Sequence, residues 1–208
     1  SAQQAADYPV ESMAAKKAAA KAFRASNFAR RQNVYPLLGE IKYNQGDPYN
    51  RMCPELTLVE DGKKKMGRAV TGCTNTAMAM LMRYWRWPIK PNGQKTYTFN
   101  YDAAKRNGKV TETASMTLSI DFDQEPEYKW DLMLPRYNSN HSYTTEEANE
   151  IARLMLHAGM CNQAGYGLGG TGSALRPQGL VDHFSYAKDF ISDSYSNYKT
   201  KGDDAYRE

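Results

Sequence analysis

The sequence predicts an α+β fold in one domain, on three observations. Two long segments free of proline carry apolar residues at helical spacing. Between them, residues 95 to 122 alternate as strands do, and the connecting stretches are dense in turn formers. At 208 residues the chain is long enough to bury a sizeable core, and nothing in its length demands a second domain.

The first element is a basic arm. Residues 12 to 31, "SMAAKKAAAKAFRASNFARR", are rich in Ala, Lys and Arg without Gly or Pro, which makes a strong intrinsic helix with a basic face. Its readings are a solvated surface helix or linker, a pro-segment remnant with a cleavable Arg30-Arg31, or a membrane-surface helix, the last weakened by how little apolar area alanine buries. Residues 1 to 33 hold six basic and two acidic side chains and so carry the whole net charge of +4, leaving 21 of each sign in the rest of the chain. The pI of about 8.8 therefore describes the arm and gives no support to a nucleic-acid-binding core.

From Val34 to Leu56 turn formers recur every few residues, which predicts an irregular segment packed by Tyr and Leu. "DGKKKMGRAVTGC", Asp61 to Cys73, reads as a polar loop leading through glycines into the first confident helix. In that helix Cys73, Ala77, Met80, Leu81 and Tyr84 form one stripe expected to face the core, and the helix must end before Pro88. "KTYTFNYD" and "SMTLSIDFD" suggest short strands or a hairpin. The second confident helix is Tyr143 to Met160, capped by Thr144 or Thr145, with Ala148, Ile151, Leu154 and Met155 inward and a stop at Gly159. A glycine-rich loop follows, Ala164 to Ala174, and then "GLVDHFSYAKDF" suggests a short helix and an edge strand.

Several function classes drop out. No stretch reaches the roughly 18 apolar residues of a membrane helix, and the mean hydropathy is −0.74. Three cysteines without CxxC spacing and three histidines offer neither a disulfide framework nor a zinc cluster, so at least one thiol should be free and no metal or cofactor is expected. The glycine-rich loop lacks the Gly-Lys-Ser/Thr ending of a phosphate loop and follows a helix instead of a strand, so it reads as the flexible rim of a cleft.

Cys73 leaves two readings. A lone cysteine is most often a buried small apolar residue. A thiol at the first turn of a long helix, however, faces the positive end of the macrodipole and its unsatisfied N–H groups, an arrangement that favours a thiolate and can hold an oxyanion. Histidine is the expected partner of such a thiol, yet His141 stands in a polar loop, His157 in the last turn of the second helix, and His183 after an acid in a strand-like run. Each reads as structural.

Three blocks together resemble the streptopain-like cysteine peptidases, a branch of the papain fold found in secreted bacterial proteins. The first is "PLLGEIKYNQGDPYNRMCP", Pro36 to Pro54, and the second "AVTGCTNTAMAMLMRYWRWP", Ala69 to Pro88. The third runs from Tyr128 to Ala174 and holds "YKWDLMLPRY" and "YGLGGTGSA". The resemblance covers about residues 34 to 190. It implies a papain-like domain over residues 34–208, mainly its helical half with the C-terminal sheet half incomplete, behind a pro-segment-like arm at 1–33. It implies a secreted bacterial endopeptidase acting on proteins or peptides, with Cys73 as nucleophile and Gln45 supplying a side-chain amide to the oxyanion hole. Thr74, Trp87, Ser173 and Ala174 are then expected to line the substrate cleft.

The family's histidine lies in a Gly-Gly-His-Ala run that counting from Cys73 carries past Glu208, and no histidine here sits in such a run. The resemblance thus implies that a C-terminal segment or second chain of the same protease completes the site and covers apolar surface. A catalytically inactive homologue that binds a peptide or partner is the alternative. A basic adaptor acting through residues 12 to 31 is the third reading.

Overall fold

The computed structural model describes residues 37–138 and 142–189, together with Ala18 and Ala22. The basic arm expected over residues 1–33 lies outside the described residues apart from those two alanines, which are helical and exposed.

Within residues 37–138 and 142–189 the regular structure is a four-stranded sheet, three α-helices and two single-turn 3-10 helices, Phe122–Gln124 and Trp130–Leu132. The strands are β1 (Glu55–Glu60), β2 (Lys63–Arg68), β3 (Gln94–Arg106) and β4 (Lys109–Asp121). The helices are α1 (Cys73–Trp85), α2 (Thr145–Asn162) and α3 (Pro177–Phe184). The strand order is β2-β1-β3-β4. The two hairpins are antiparallel and meet in a parallel contact of two residue pairs, Val59 with Ala104 and Glu60 with Lys105.

Both hairpins close on two-residue turns whose residues all have positive φ, Asp61-Gly62 (49° and 77°) and Asn107-Gly108 (50° and 73°). Those are the sequences that a type I′ turn selects, because Asp, Asn and Gly enter the left-handed region at least cost. Asp61 also ties the hairpins together, its carboxylate accepting from the Asn107 N–H at 2.8 Å. The polar loop expected from Asp61 to Cys73 is therefore half strand. What pins β2 is pairing with β1, and its side chains stay largely exposed.

The hairpin expected within residues 95 to 122 is present as β3 and β4. Tyr97, Phe99, Tyr101, Met116, Leu118 and Ile120 pack inward. The other face carries cross-strand hydrogen bonds, Thr96 with Ser119 and Thr98 with Thr117, each 2.8 Å. The segment before β1 is irregular as expected. Tyr43 and Tyr49 pack against the helical core, whereas Leu37 is exposed.

α2 is the structural axis. Its Thr144 cap forms a full capping box with Glu147, and Ala148, Ile151, Leu154 and Met155 are all buried. Two cores meet on it. One joins it to Met78 and Met82 of α1 and to Tyr128, Trp130, Leu180 and Phe184; the other joins its Met160 to the sheet residues. The helix does not stop at Gly159. The glycine is there because a Cβ would overlap the Tyr166 hydroxyl, and the turn continues to Asn162 before a left-handed Gln163 ends it. His157 is therefore inside the helix, not in its last turn. α3 confirms the short helix expected after the glycine-rich loop. No strand follows it at 185–189, and Phe190 lies outside the described residues.

The expected inward stripe of α1 is corrected by one face. Asn75, Thr76, Met78, Ala79 and Met82 are buried, while Cys73, Ala77 and Leu81 are exposed and Met80 and Tyr84 are half-buried. The physical reason is that Asn75 and Thr76, polar by residue type, find buried hydrogen-bond partners and so belong to the core side. That rotation turns Cys73 outward.

Candidate active site

The three cysteines divide by environment. Cys53 and Cys161 are buried, and burial pushes each thiol up to about 12, so both are protonated and shielded. Cys73 is exposed at the first position of α1.

What lies around Cys73 follows from the chain just before it. Gly72 caps the helix with φ 87°, makes no side-chain cap, and has no acid in the turn after it. Among the described residues the N–H groups that open α1 have no side-chain acceptor, and such groups point where an anion would be held. Only glycine suits this position. Its φ is left-handed, and a Cβ would stand 3.0 Å from Thr171 Cγ2 and the Thr171 carbonyl.

Gln45 reaches the same place through its backbone. Its carbonyl accepts from the Thr71 N–H at 3.1 Å, which fixes "NQG" against the two residues that precede Cys73. The Gln45 N–H donates to Asn44 Oδ1 at 2.6 Å. Its side-chain amide makes no hydrogen bond among the described residues, so both of its N–H donors are uncommitted.

The rim loop is tied to α1 by hydroxyls and amides. Thr74 Oγ1 donates to the Ser173 carbonyl at 3.0 Å, and Ser173 Oγ donates to Asn75 Oδ1 at 3.2 Å. Thr171 Oγ1 donates to the Val70 carbonyl and accepts from the Gly167 N–H, while the Val70 N–H donates to the Gly167 carbonyl. Gly165 and Gly172 pair across the loop, so the stretch expected to be flexible is a closed, bridged turn. Ala174 is exposed beside Ser173.

The structure therefore brings Cys73, Thr74 and Ser173 into one hydrogen-bonded neighbourhood, with Ala174 next in sequence and Gln45 tethered to its approach. It does not bring Trp87 there. Trp87 follows the far end of α1, and a 13-residue helix puts about 20 Å between its two ends. A cavity of about 360 Å³ opens on the sheet side of the rim loop, lined by Leu56, Leu58, Tyr101, Lys105 and residues 165–170 without Cys73.

His157 and His183 are both engaged elsewhere. His157 is buried, with Nδ1 2.7 Å from the Tyr128 hydroxyl and Nε2 3.5 Å from Glu125. Desolvation lowers its pKa and raises that of Tyr128, so the tyrosine donates to a neutral imidazole. His183 is buried against Phe122, with Nδ1 3.0 Å from the Asn92 carbonyl. His141 lies outside the described residues. Among the described residues there is no group of three or more His, Cys, Asp or Glu arranged to hold a metal.

Sequence reasoning missed Asn75, which links the residues before Cys73, the end of α2 and the rim. Its signal was a polar residue two positions after the cysteine on a helix otherwise rich in Ala and Met.

A mixed sheet-and-helix fold with an exposed thiol at the head of a core helix is that of the papain-like cysteine proteases. An active interpain A cysteine protease of Prevotella intermedia matches at TM-score 0.53 and 31% identity, over 70% of this chain and 53% of that one. A prointerpain A fragment from the same organism matches at TM-score 0.51 and 31% identity, over 70% and 41% of the two chains. In sequence, streptopain of Streptococcus pyogenes is 33% identical over 150 residues, 70% of this chain and 35% of streptopain.

The family model of peptidase C10 matches residues 43–206, and the chain belongs to that family. It spans about a third of the length of the curated streptopains it matches. Among the described residues, no helix is long and apolar enough to cross a membrane.

Proposed function

We propose that this chain is the cysteine-bearing part of a secreted bacterial endopeptidase of streptopain type. The observation that carries the reading is the exposure of Cys73 at a helix N-terminus with no side-chain cap, with Gln45 tethered to Thr71 two residues before it. The Cys73 thiolate attacks the carbonyl carbon of a bound peptide. The negative charge that develops on the carbonyl oxygen is held by the Cys73 N–H and the Gln45 side-chain amide. The C–N bond then breaks, and the leaving amine takes a proton from an imidazolium.

That imidazole is assigned to the remainder of the protein, because His157 has both ring nitrogens engaged inside the fold and His183 is buried with Nδ1 at the Asn92 carbonyl. Water then releases the acyl group from sulfur as a carboxylic acid. Thr74, Ser173 and Ala174 form one wall of the peptide cleft. Trp87 is left out of it because of its distance along α1.

The test uses the full-length protein. Alkylation of Cys73 by iodoacetamide, or Cys73→Ala, abolishes peptide hydrolysis, and persistence of activity in Cys73→Ala would sink the assignment. A full-length protein that binds peptides without cleaving them, with Cys73 intact, is the result expected instead of an inactive homologue. Recovery of the mature protein from culture medium rather than cells tests the secretion.

A further inference from the structure

Ser173 faces the proposed cleft, yet both of its strongest polar groups are spent behind it. The carbonyl accepts from Thr74 Oγ1 and the hydroxyl donates to Asn75 Oδ1. Among the described residues the Ser173 N–H has no acceptor, so it is the group that remains for a ligand at this rim position.

Asn75 holds the hydroxyl within a larger lattice. It is fully buried, its Nδ2 donates to the Thr71 carbonyl at 2.7 Å, and its Oδ1 also accepts from Asn162 Nδ2 at 2.9 Å. Asn162 in turn takes the Arg176 N–H at 3.0 Å on its Oδ1, and its carbonyl takes Arg176 Nε at 3.1 Å, which pins the exit of the rim loop. One side chain thereby joins the approach to Cys73, the C-terminal turn of α2 and both ends of the segment that forms the rim. Removing it leaves the buried Thr71 carbonyl and Asn162, and the half-buried Ser173 hydroxyl, each short of a partner.

We propose that Asn75 is a positioning residue that sets the rim at Ser173 and, through it, the affinity for extended peptides, leaving the reactivity of the thiol itself unaltered. This rests on the reading of Cys73 as nucleophile and deepens it. The rim recognises peptide backbone through the Ser173 N–H, so the contact is indifferent to side-chain identity.

The experiment compares Asn75→Ala, Ser173→Ala and the double variant of the full-length protein in two reactions at Cys73, one with iodoacetamide and one with a peptidyl epoxide. Asn75→Ala is expected to raise the epoxide's KI at least about tenfold, with its maximal inactivation rate and the iodoacetamide rate within about twofold of wild type. Ser173→Ala shifts KI in the same direction, and the double variant is no worse than the worse single one, as residues acting through one contact require. Amide exchange over residues 169–174 accelerates in Asn75→Ala.

An unchanged KI, additive effects, or a parallel fall in the iodoacetamide rate would overturn the proposal. If Asn75→Ala does not fold, Ser173→Ala alone decides, because it removes one half-buried hydroxyl and leaves the core intact. A wild-type Cys73 that iodoacetamide labels and the epoxide never does overturns the peptidase reading itself, an outcome the variants cannot mimic.

Discussion

Residue identity alone gives three chemically equal thiols; burial makes them unequal. Cys53 and Cys161 sit inside the two cores, whereas Cys73 stands at the surface. Intact mass after a short native iodoacetamide pulse is expected to show a single adduct at Cys73, with the other two appearing only after denaturation. Gln45 is the second residue-scale test. On the proposed mechanism, Gln45→Ala in the full-length protein removes one oxyanion donor and is expected to lower kcat by about a hundredfold to a thousandfold with little change in KM.

Elements hold these residues where the chemistry needs them. Gly72 links the rim and α1 at a left-handed φ with Thr171 against it, so Gly72→Ala strains backbone and contact together. A loss of about 2–3 kcal/mol is expected in urea unfolding, with the amide exchange of residues 169–172 rising as the rim is pushed away. The 125–130 segment is fixed to α2 in another way. Arg153, nearly buried, pairs with Glu150 and Glu125, donates to the Pro126 and Glu127 carbonyls, and lies 4.7 Å from the Tyr128 ring centroid. Arg153→Ala leaves the Pro126 and Glu127 carbonyls without their guanidinium donors and leaves Glu150 and Glu125 with only the Lys129 N–H and His157 as partners among the described residues, and a loss of about 3–5 kcal/mol is expected by the same measurement.

At the scale of the molecule, the core sets a pH limit. Burial holds the folded His157 pKa below its ordinary value near 6.5, so the unfolded chain takes up a proton that the folded chain refuses. Stability is full above that value and falls as the pH drops through it, with a slope of at most about 1.4 kcal/mol per pH unit from this group. Glu125 acts in the same sense at lower pH. The hydrogen bond from His157 foremost keeps its carboxyl below the usual range, so its contribution is present above about 4.5 and is lost as the folded group protonates. Urea midpoints measured from pH 8 to pH 5 should decline, and the decline between pH 7 and 5.5 should shrink in His157→Gln. A flat wild-type profile would contradict the buried neutral assignment.

The local signals that the chain carries in its own order were legible without coordinates. Thr144 with Glu147 marks a helix start, and the alternation of Tyr97, Phe99, Met116 and Leu118 marks a hairpin face. "NQGDPYN" and "TGC" mark the family as contiguous strings, although in the fold they act through partners far away in sequence, Gln45 with Thr71 and Gly72 with Thr171. Asp61-Gly62 marked the first hairpin equally well and was obscured by three lysines that tolerate a sheet edge as readily as a loop. Tertiary structure alone decided which side of α1 turns inward. Apolar spacing chose the face containing Cys73, but Asn75 and Thr76 became core residues once Thr71, Asn162 and Ser173, close in sequence or nearly a hundred positions away, supplied their hydrogen bonds. A polar side chain is buried only where partners await it, and those partners exist only in the folded chain; the same lattice that buries Asn75 is what leaves Cys73 facing outward.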